Sequence, residues 1–255
     1  MKCVDLNCDL GESFGNYKIG MDEEVIPLIT SANVACGYHA SDPVVMMKTI
    51  QMAAENGIGI GAHPGFPDLM GFGRRNMNIS TKEAYAYVMY QLGALDAFCK
   101  KYGVKMQHVK PHGALYNMAG KDYSLARAVC EAVYDFDHDL ILLGLTGSEL
   151  IHASEAVGLK HANEFFADRA YEEDGSLVAR SKAGSMITDE AEALERVIKV
   201  VKEGTVTSIT GKEISLDINS ICVHGDGEKA LAFVKLIGER LRKENISVQA
   251  LHKFI

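Results

Sequence analysis

"HVKPHGALYN" (108–117) sets Lys110, Pro111, His112 and Gly113 in direct succession after a short apolar approach. Three other stretches have the same form: "VACGYHASDP" (34–43), "IGIGAHPGFPD" (58–68) and "ICVHGDGEKA" (221–230). In each, a short β-prone run meets a histidine with a glycine within two residues, and four of the nine histidines fall this way. If the strands are parallel, these four ends share one rim, because parallel β/α folds gather their reactive groups at the C-terminal ends of the strands.

The chain on either side supports parallel strands. Short β-prone runs predict strands at 3–7, 33–36, 58–61, 105–109, 140–143, 160–164 and 219–223, with a short last one near 247–250. Helical patterning predicts helices at 21–30, 43–56, within 79–103, and at 123–135, 147–157, 189–203 and 227–243. Asp42 is the expected N-cap of the second helix, with Pro43 in its first turn and Gly57 as its stop. Ser80 and Glu83 form a capping box for the third, which Gly103 ends. Strand-helix alternation this sustained implies a parallel sheet, either closed into a barrel or doubly wound. Two segments break the rhythm. "TVTSITGKEISLD" (205–217) alternates with period two around Thr210-Gly211-Lys212 and reads as a β-hairpin insertion. "ADRAYEEDGSLVARSKAGSMI" (167–187) is a long charged connection of the functional kind. With no internal repeat or linker, residues 1–255 are expected to form one domain.

Of the 255 residues, 26 are Lys or Arg and 34 are Asp or Glu, a formal charge of −8 that argues against nucleic acid as a partner. The six cysteines show no CxxC spacing and mostly sit in apolar runs, as in a reducing compartment. Charged residues follow the N-terminus too soon for a signal peptide, and no apolar stretch approaches the ~20 residues of a membrane span. The expected location is cytoplasmic, with no membrane partner.

The predicted rim collects Asp9 and Glu12 from "LNCDLGE", with His39, His63 and His112. One such histidine would be satisfied by a backbone carbonyl. Three beside a carboxylate suggest either a metal-water site or a general acid/base pair, and the sequence permits both. Asp42 is explained as a cap, and Asp5 as a buried structural residue or one supporting the site. Lys110 ends an apolar strand, where its charge is costly unless used; it is a candidate to hold a phosphate or carboxylate oxygen, or else it snorkels to the rim. Arg74 and Arg75 close the glycine-rich loop "GFPDLMGFGRRN" and are candidates for anion binding, as are Asp168, Arg169 and Arg180 in the irregular segment. "GDGEKA" (225–230) matches G-x-G-x-x-A between a strand and a helix, which makes His224, Gly225 and Gly227 a possible phosphate cradle. No GxxxxGK[ST] or GxSxG occurs, and Cys8 and Cys36 are expected to pack rather than react.

Seven motifs, in order, resemble the LamB/YcsF family: "DLNCDLGESFG", "SANVACGYHASDP", "GAHPGFPDLMGFGRR", "VKPHGALYN", "EFFADRAY", "LVARSKAGSMI" and "CVHGDG". The resemblance runs from about residue 5 to residue 250. It implies an irregular seven-stranded β/α barrel similar to the glycoside hydrolase/deacetylase superfamily. It implies the A component of a 5-oxoprolinase, which opens 5-oxo-L-proline to L-glutamate while ATP, with Mg2+, is hydrolysed to ADP and phosphate. Two partner subunits, PxpB and PxpC, are implied as well. By similarity to sugar deacetylases, Asp9, His63 and His112 stand where that superfamily binds a divalent metal. In the 5-oxoprolinase reading Asp9, Glu12, His39, His63, Lys110 and His112 carry catalysis. Arg74, Arg75, Asp168, Arg169, Arg180, His224, Gly225 and Gly227 bind substrate or phosphate. The readings from other classes are a metal-dependent deacetylase or amidase that needs no ATP, and a non-catalytic binding subunit.

Overall fold

A computed structural model describes residues 2–223 and 228–255, with backbone alone at 228 and 229. In chain order the elements are β1 (Cys3–Leu10), α1 (Asp22–Val25), β2 (Ser31–Ala35), α2 (Pro43–Glu55), β3 (Gly59–His63), α3 (Thr81–Lys101), β4 (Met106–Val109), α4 (Gly113–Ala119), α5 (Tyr123–Phe136), β5 (Ile141–Leu145), α6 (Glu149–Val157), β6 (Lys160–Phe166), α7 (Glu190–Glu203), β7 (Thr205–Thr207), β8 (Glu213–Ser215), β9 (Ser220–Val223), α8 (Glu228–Lys243) and β10 (Ser247–Val248). Strands β1 to β6 pair in sequence order, β9 follows β6, and β9 pairs back onto β1. All these pairings are parallel, so the seven strands close a barrel. β10 pairs with the N-terminal end of β1 at Cys3 and Val4, and β7–β8 form the expected antiparallel hairpin. The barrel alternative is therefore the observed one.

The caps explain where two helices begin. Asp42 accepts hydrogen bonds from the Val44 and Val45 amides at 2.8 and 3.1 Å, and Ser80 with Glu83 completes the capping box of α3. α4 differs from expectation. The sequence around Pro111 and Gly113 reads as a turn, yet seven residues after His112 are helical. Gly113 takes φ +53°, and a Cβ there would lie 2.7 Å from the Gly73 carbonyl oxygen. The Ala114 amide donates to that same carbonyl at 2.8 Å. The glycine thus lets the loop after β3 press directly onto the start of α4.

The two faces of β1 differ sharply. Val4, Leu6, Cys8 and Leu10 join the hydrophobic layer between strands and helices. Asp5 and Asn7, on the opposite face, are fully buried among the polar side chains of neighbouring strands. Many barrel interiors are filled by branched aliphatic residues; here the middle layers are polar. An aliphatic cluster lies at the floor, where Ile141, Leu143, Ala162 and Leu251 meet, with Phe254 and Ile255 against them. Gly59 and Gly61 on β3 make room for the polar layers. A Cβ at these positions would lie 2.3 Å from the Gln107 side chain and 2.1 Å from His108 Nε2. A register shift between Ile60 and Gly61, where β3 meets β4, brings these two consecutive residues of β4 against the same strand face.

Candidate functional site at the barrel mouth

The centre is built on Asp9 at the end of β1. Its Oδ1 accepts from Asn33 Nδ2 on β2 at 2.8 Å and from Lys110 Nζ at 3.0 Å. Its Oδ2 lies 3.2 Å from Nε2 of His63, the last residue of β3. Lys110 is 2 % exposed and reaches Glu164 Oε1 on β6 at 2.7 Å. Glu164 in turn accepts from the Tyr116 hydroxyl at 2.7 Å. Burial works against the charge of Lys110, but Asp9, Cys222 and Glu164 outweigh it and raise its pKa well above the usual lysine value. Lys110 therefore does not snorkel. Its charge is taken up by two carboxylates of the chain itself.

The histidines sit above this layer. His63 Nδ1 is 2.7 Å from the Lys110 carbonyl oxygen, so Nδ1 carries the proton and Nε2 turns its lone pair inward. His112 Nε2 is 2.9 Å from the Phe72 carbonyl oxygen, so its Nδ1 is the lone-pair nitrogen of the neutral ring. These two lone pairs face each other at 2.9 Å. Glu12 Oε1 lies 3.6 Å from His112 Nδ1 and 3.1 Å from His39 Nε2. The His39 ring stacks on His112 at 3.6 Å with 2° between planes. Nδ1 of His39 has no hydrogen-bond partner among the described residues.

Two acceptor nitrogens in contact beside two carboxylates call for a cation between them. A proton or a metal ion satisfies that demand. Glu12, His39, His63 and His112 each offer a ligand atom, all within 4.8 Å of one another. A set of imidazole nitrogens and carboxylate oxygens, with ring N–H groups fixed by backbone carbonyls, fits zinc or a similar divalent ion. Of the expected trio, His63 and His112 belong to this set together with Glu12 and His39, while Asp9 stands beside it, 3.2 Å from His63.

Burial, then the neighbouring His63, pushes His112 down to about 3, and burial, then the charge of Lys110, does the same to His108, also to about 3. His39 is lowered well below its usual value by burial and then by His112. A histidine whose folded pKa is depressed is protonated more readily when unfolded, so stability is lost as pH falls from about 6.5 towards 3. Asp5 opposes this: burial raises it to about 6, and it favours the folded state as pH falls from there towards 3.8. Three histidines outweigh one aspartate. The urea midpoint is expected to be clearly lower at about pH 5 than at about pH 7.5. An equal midpoint would contradict the burial of neutral rings.

The remaining candidates divide. Arg75 is locked to Asp68, with Nε 3.0 Å from each carboxylate oxygen and Nη2 on the same group. Arg74 lies 5.0 Å from the centroid of the Phe72 ring, on the loop that touches His112. Asp168 and Arg169 follow β6 directly. Arg169 is 6 % exposed, Nη2 donates to the Val178 carbonyl at 2.6 Å, and Nε has no hydrogen-bond partner in the described structure. Arg180 is exposed, with Nη1 3.7 Å from Met186 Sδ. His224, Gly225 and Gly227 lie outside the described residues. Burial pushes the Cys36 thiol up to about 12, as packing rather than reactivity requires. Reasoning from sequence missed Glu164, Tyr116, Asn7, Asn33 and His108. The signal for two of them lay in the polar alternation of "DLNCD" (5–9) and "SAN" (31–33).

A parallel β/α barrel with a histidine–carboxylate centre at its C-terminal mouth is the class these features define. The chain belongs to the LamB/YcsF family, whose model matches residues 4–255. A Clostridium beijerinckii protein, named as the A component of 5-oxoprolinase, is 66 % identical over 98 % of both chains. The lactam utilization protein of Thermus thermophilus superposes with a TM-score of 0.93 and 43 % identity, covering 98 % of this chain and 100 % of the other. A T48 deacetylase structure superposes with a TM-score of 0.52 at 14 % identity, over 99 % of this chain and 89 % of that one, and shares the fold. No helix among the described residues is long and apolar enough to cross a membrane.

Proposed function

We propose that this chain is the A component of an ATP-dependent 5-oxoprolinase, working with the partner subunits PxpB and PxpC in the cytoplasm. The observation that carries the reading is near-complete coverage at 66 % identity by a relative bearing that component's name. A five-membered lactam is a stable amide. Transfer of the γ-phosphoryl group of Mg-ATP to the lactam oxygen makes C5 electrophilic and gives it a leaving group. Water then adds to C5, and the C–N bond breaks with the nitrogen leaving as the amine of glutamate. A second water releases the phosphate.

In this reading Asp9, with His63 and His112, orients the attacking water and handles its proton, and Glu12 with His39 flanks it. Lys110 serves by fixing Asp9 rather than by holding phosphate. Arg169 suits the carboxylate of 5-oxoproline, since it is a nearly buried cation with an unpaired Nε. Arg74 and Arg180 are the rim cations for phosphate. Arg75, Asp168, His224, Gly225 and Gly227 complete the candidate set, with Arg75 first having to leave Asp68. A divalent metal held by His63 and His112 with Asp9 or Glu12 would supply Lewis-acid polarisation and a more acidic water.

The converging lone pairs also favour a second reading, a metal-dependent amidase or deacetylase needing no nucleotide. Glutamate and phosphate release from 5-oxoproline separates the two. The chain alone and mixed with its partners is assayed with and without Mg-ATP and a chelator. Glutamate formed one-for-one with phosphate, only with ATP, is expected. Amide hydrolysis indifferent to ATP and lost to the chelator would replace this reading with the second. A chain that binds 5-oxoproline or ATP while all turnover resides in the partners would make it a binding subunit.

A further inference from the structure

His108 is fully buried, its ring bonds to Gln107 and Asn33, and it has no part in the chemistry above. Its hydrogen bonds nevertheless lead to Asp9, and each one can be assigned a direction. Lys110 Nζ only donates, so the Asn7 atom 3.2 Å away is the amide oxygen. The Asn33 atom 2.8 Å from Asp9 Oδ1 faces an acceptor and is the amide nitrogen, which also donates to Asn7 Oδ1 at 2.8 Å. Asn33 Oδ1 therefore points away from the centre, to His108 Nε2 at 2.7 Å, and that nitrogen must carry a proton. The neutral ring's Nδ1 then accepts from Gln107 Nε2 at 2.9 Å. Gln107 Oε1 accepts from the backbone amide of His252 on the barrel floor at 3.2 Å. The network runs with one polarity from the floor to the mouth.

We propose that His108 is a positioning residue which, by donating from Nε2 to Asn33, holds the Asn33 amide in the one orientation that fixes Asp9 Oδ1 and leaves Oδ2 facing His63. Loss of the donor would strand Asn33 Oδ1 in a buried site. A flip of the amide would then set that oxygen against Asp9 Oδ1 and Asn7 Oδ1. The barrel is shaped for this ring: glycine at 61 is required because a Cβ would lie 2.1 Å from Nε2. The inference rests on the reading that Asp9 works at the lactam.

The test compares His108→Gln, whose amide nitrogen reaches the place of Nε2, with His108→Asn, whose amide reaches only the level of Nδ1. Both are assayed in the reconstituted complex. His108→Asn is expected to lose about 100-fold in kcat with KM for 5-oxoproline little changed, while His108→Gln stays within about five-fold of wild type. Equal losses in the two, or none in His108→Asn, would overturn the proposal. If His108→Asn does not fold, Asn33→Asp takes its place, since it reverses the polarity at the next link; full kcat there would also overturn it. Asp9→Asn is run in parallel. Activity in that variant would show that the reading of the centre has failed, separately from the role of His108.

Discussion

His112→Ala is expected to lower glutamate formation by the reconstituted complex by about a thousand-fold or more. His112 supplies one of the two lone pairs that meet at 2.9 Å, so its removal dismantles the cation site as well as a proton acceptor. Little structural cost should accompany the loss. The ring is buried, but one of its two nitrogens bonds only to a loop carbonyl and the other faces a repulsive partner. Relief of that repulsion offsets part of the lost packing. A variant that folds, melts only modestly below wild type and is inactive is the expected result, seen by assay and thermal unfolding together. Full turnover by folded His112→Ala would remove the centre from the mechanism.

Lys110→Met should carry a large structural cost instead. It removes the ammonium that lies 2.7 Å from Glu164 and 3.0 Å from Asp9, in a layer where Lys110 is 2 % and Glu164 0 % exposed. Leaving buried carboxylates without their cation costs about 3–5 kcal/mol. At this chain length that corresponds to a fall in Tm of roughly 10 °C. Adding Glu164→Gln should recover part of the loss, because the neutral amide still accepts from Tyr116. The double variant melting no higher than the single one would show that the cost comes from lost packing rather than from stranded charge.

The fold was legible because the strand ends are punctuated. Histidine beside glycine marked where β2, β3 and β4 deliver the chain to one rim, and the caps at Asp42 and Ser80 set the helices that follow. α4 escaped because its signals, Pro111 and a glycine at positive φ, are those of a turn, and it is held through Ala114 by the distant Gly73 carbonyl. At the site, Asp9, Glu12, His39, His63 and His112 were legible as chemistry-bearing types at strand ends, and they do meet. The polar interior was visible in "VDLNCDL" (4–10), which alternates apolar and polar as a strand with two different faces does. A parallel barrel is expected to be apolar on both faces, so that alternation is easily passed over. Glu164 was hidden for a different reason. A carboxylate within an apolar strand reads as exposed until its partner is known, and that partner, Lys110, is fifty-four residues earlier in the sequence.

The central claim is that the lactam is opened at this centre. The most direct measurement is a structure of the reconstituted complex with 5-oxoproline bound. The ring is expected in the barrel mouth, its carbonyl carbon within roughly 3.5 Å of Asp9 Oδ2 or of a water held by it, and its carboxylate on Arg169. A ring bound in a partner subunit, with the mouth of this barrel empty, would contradict it.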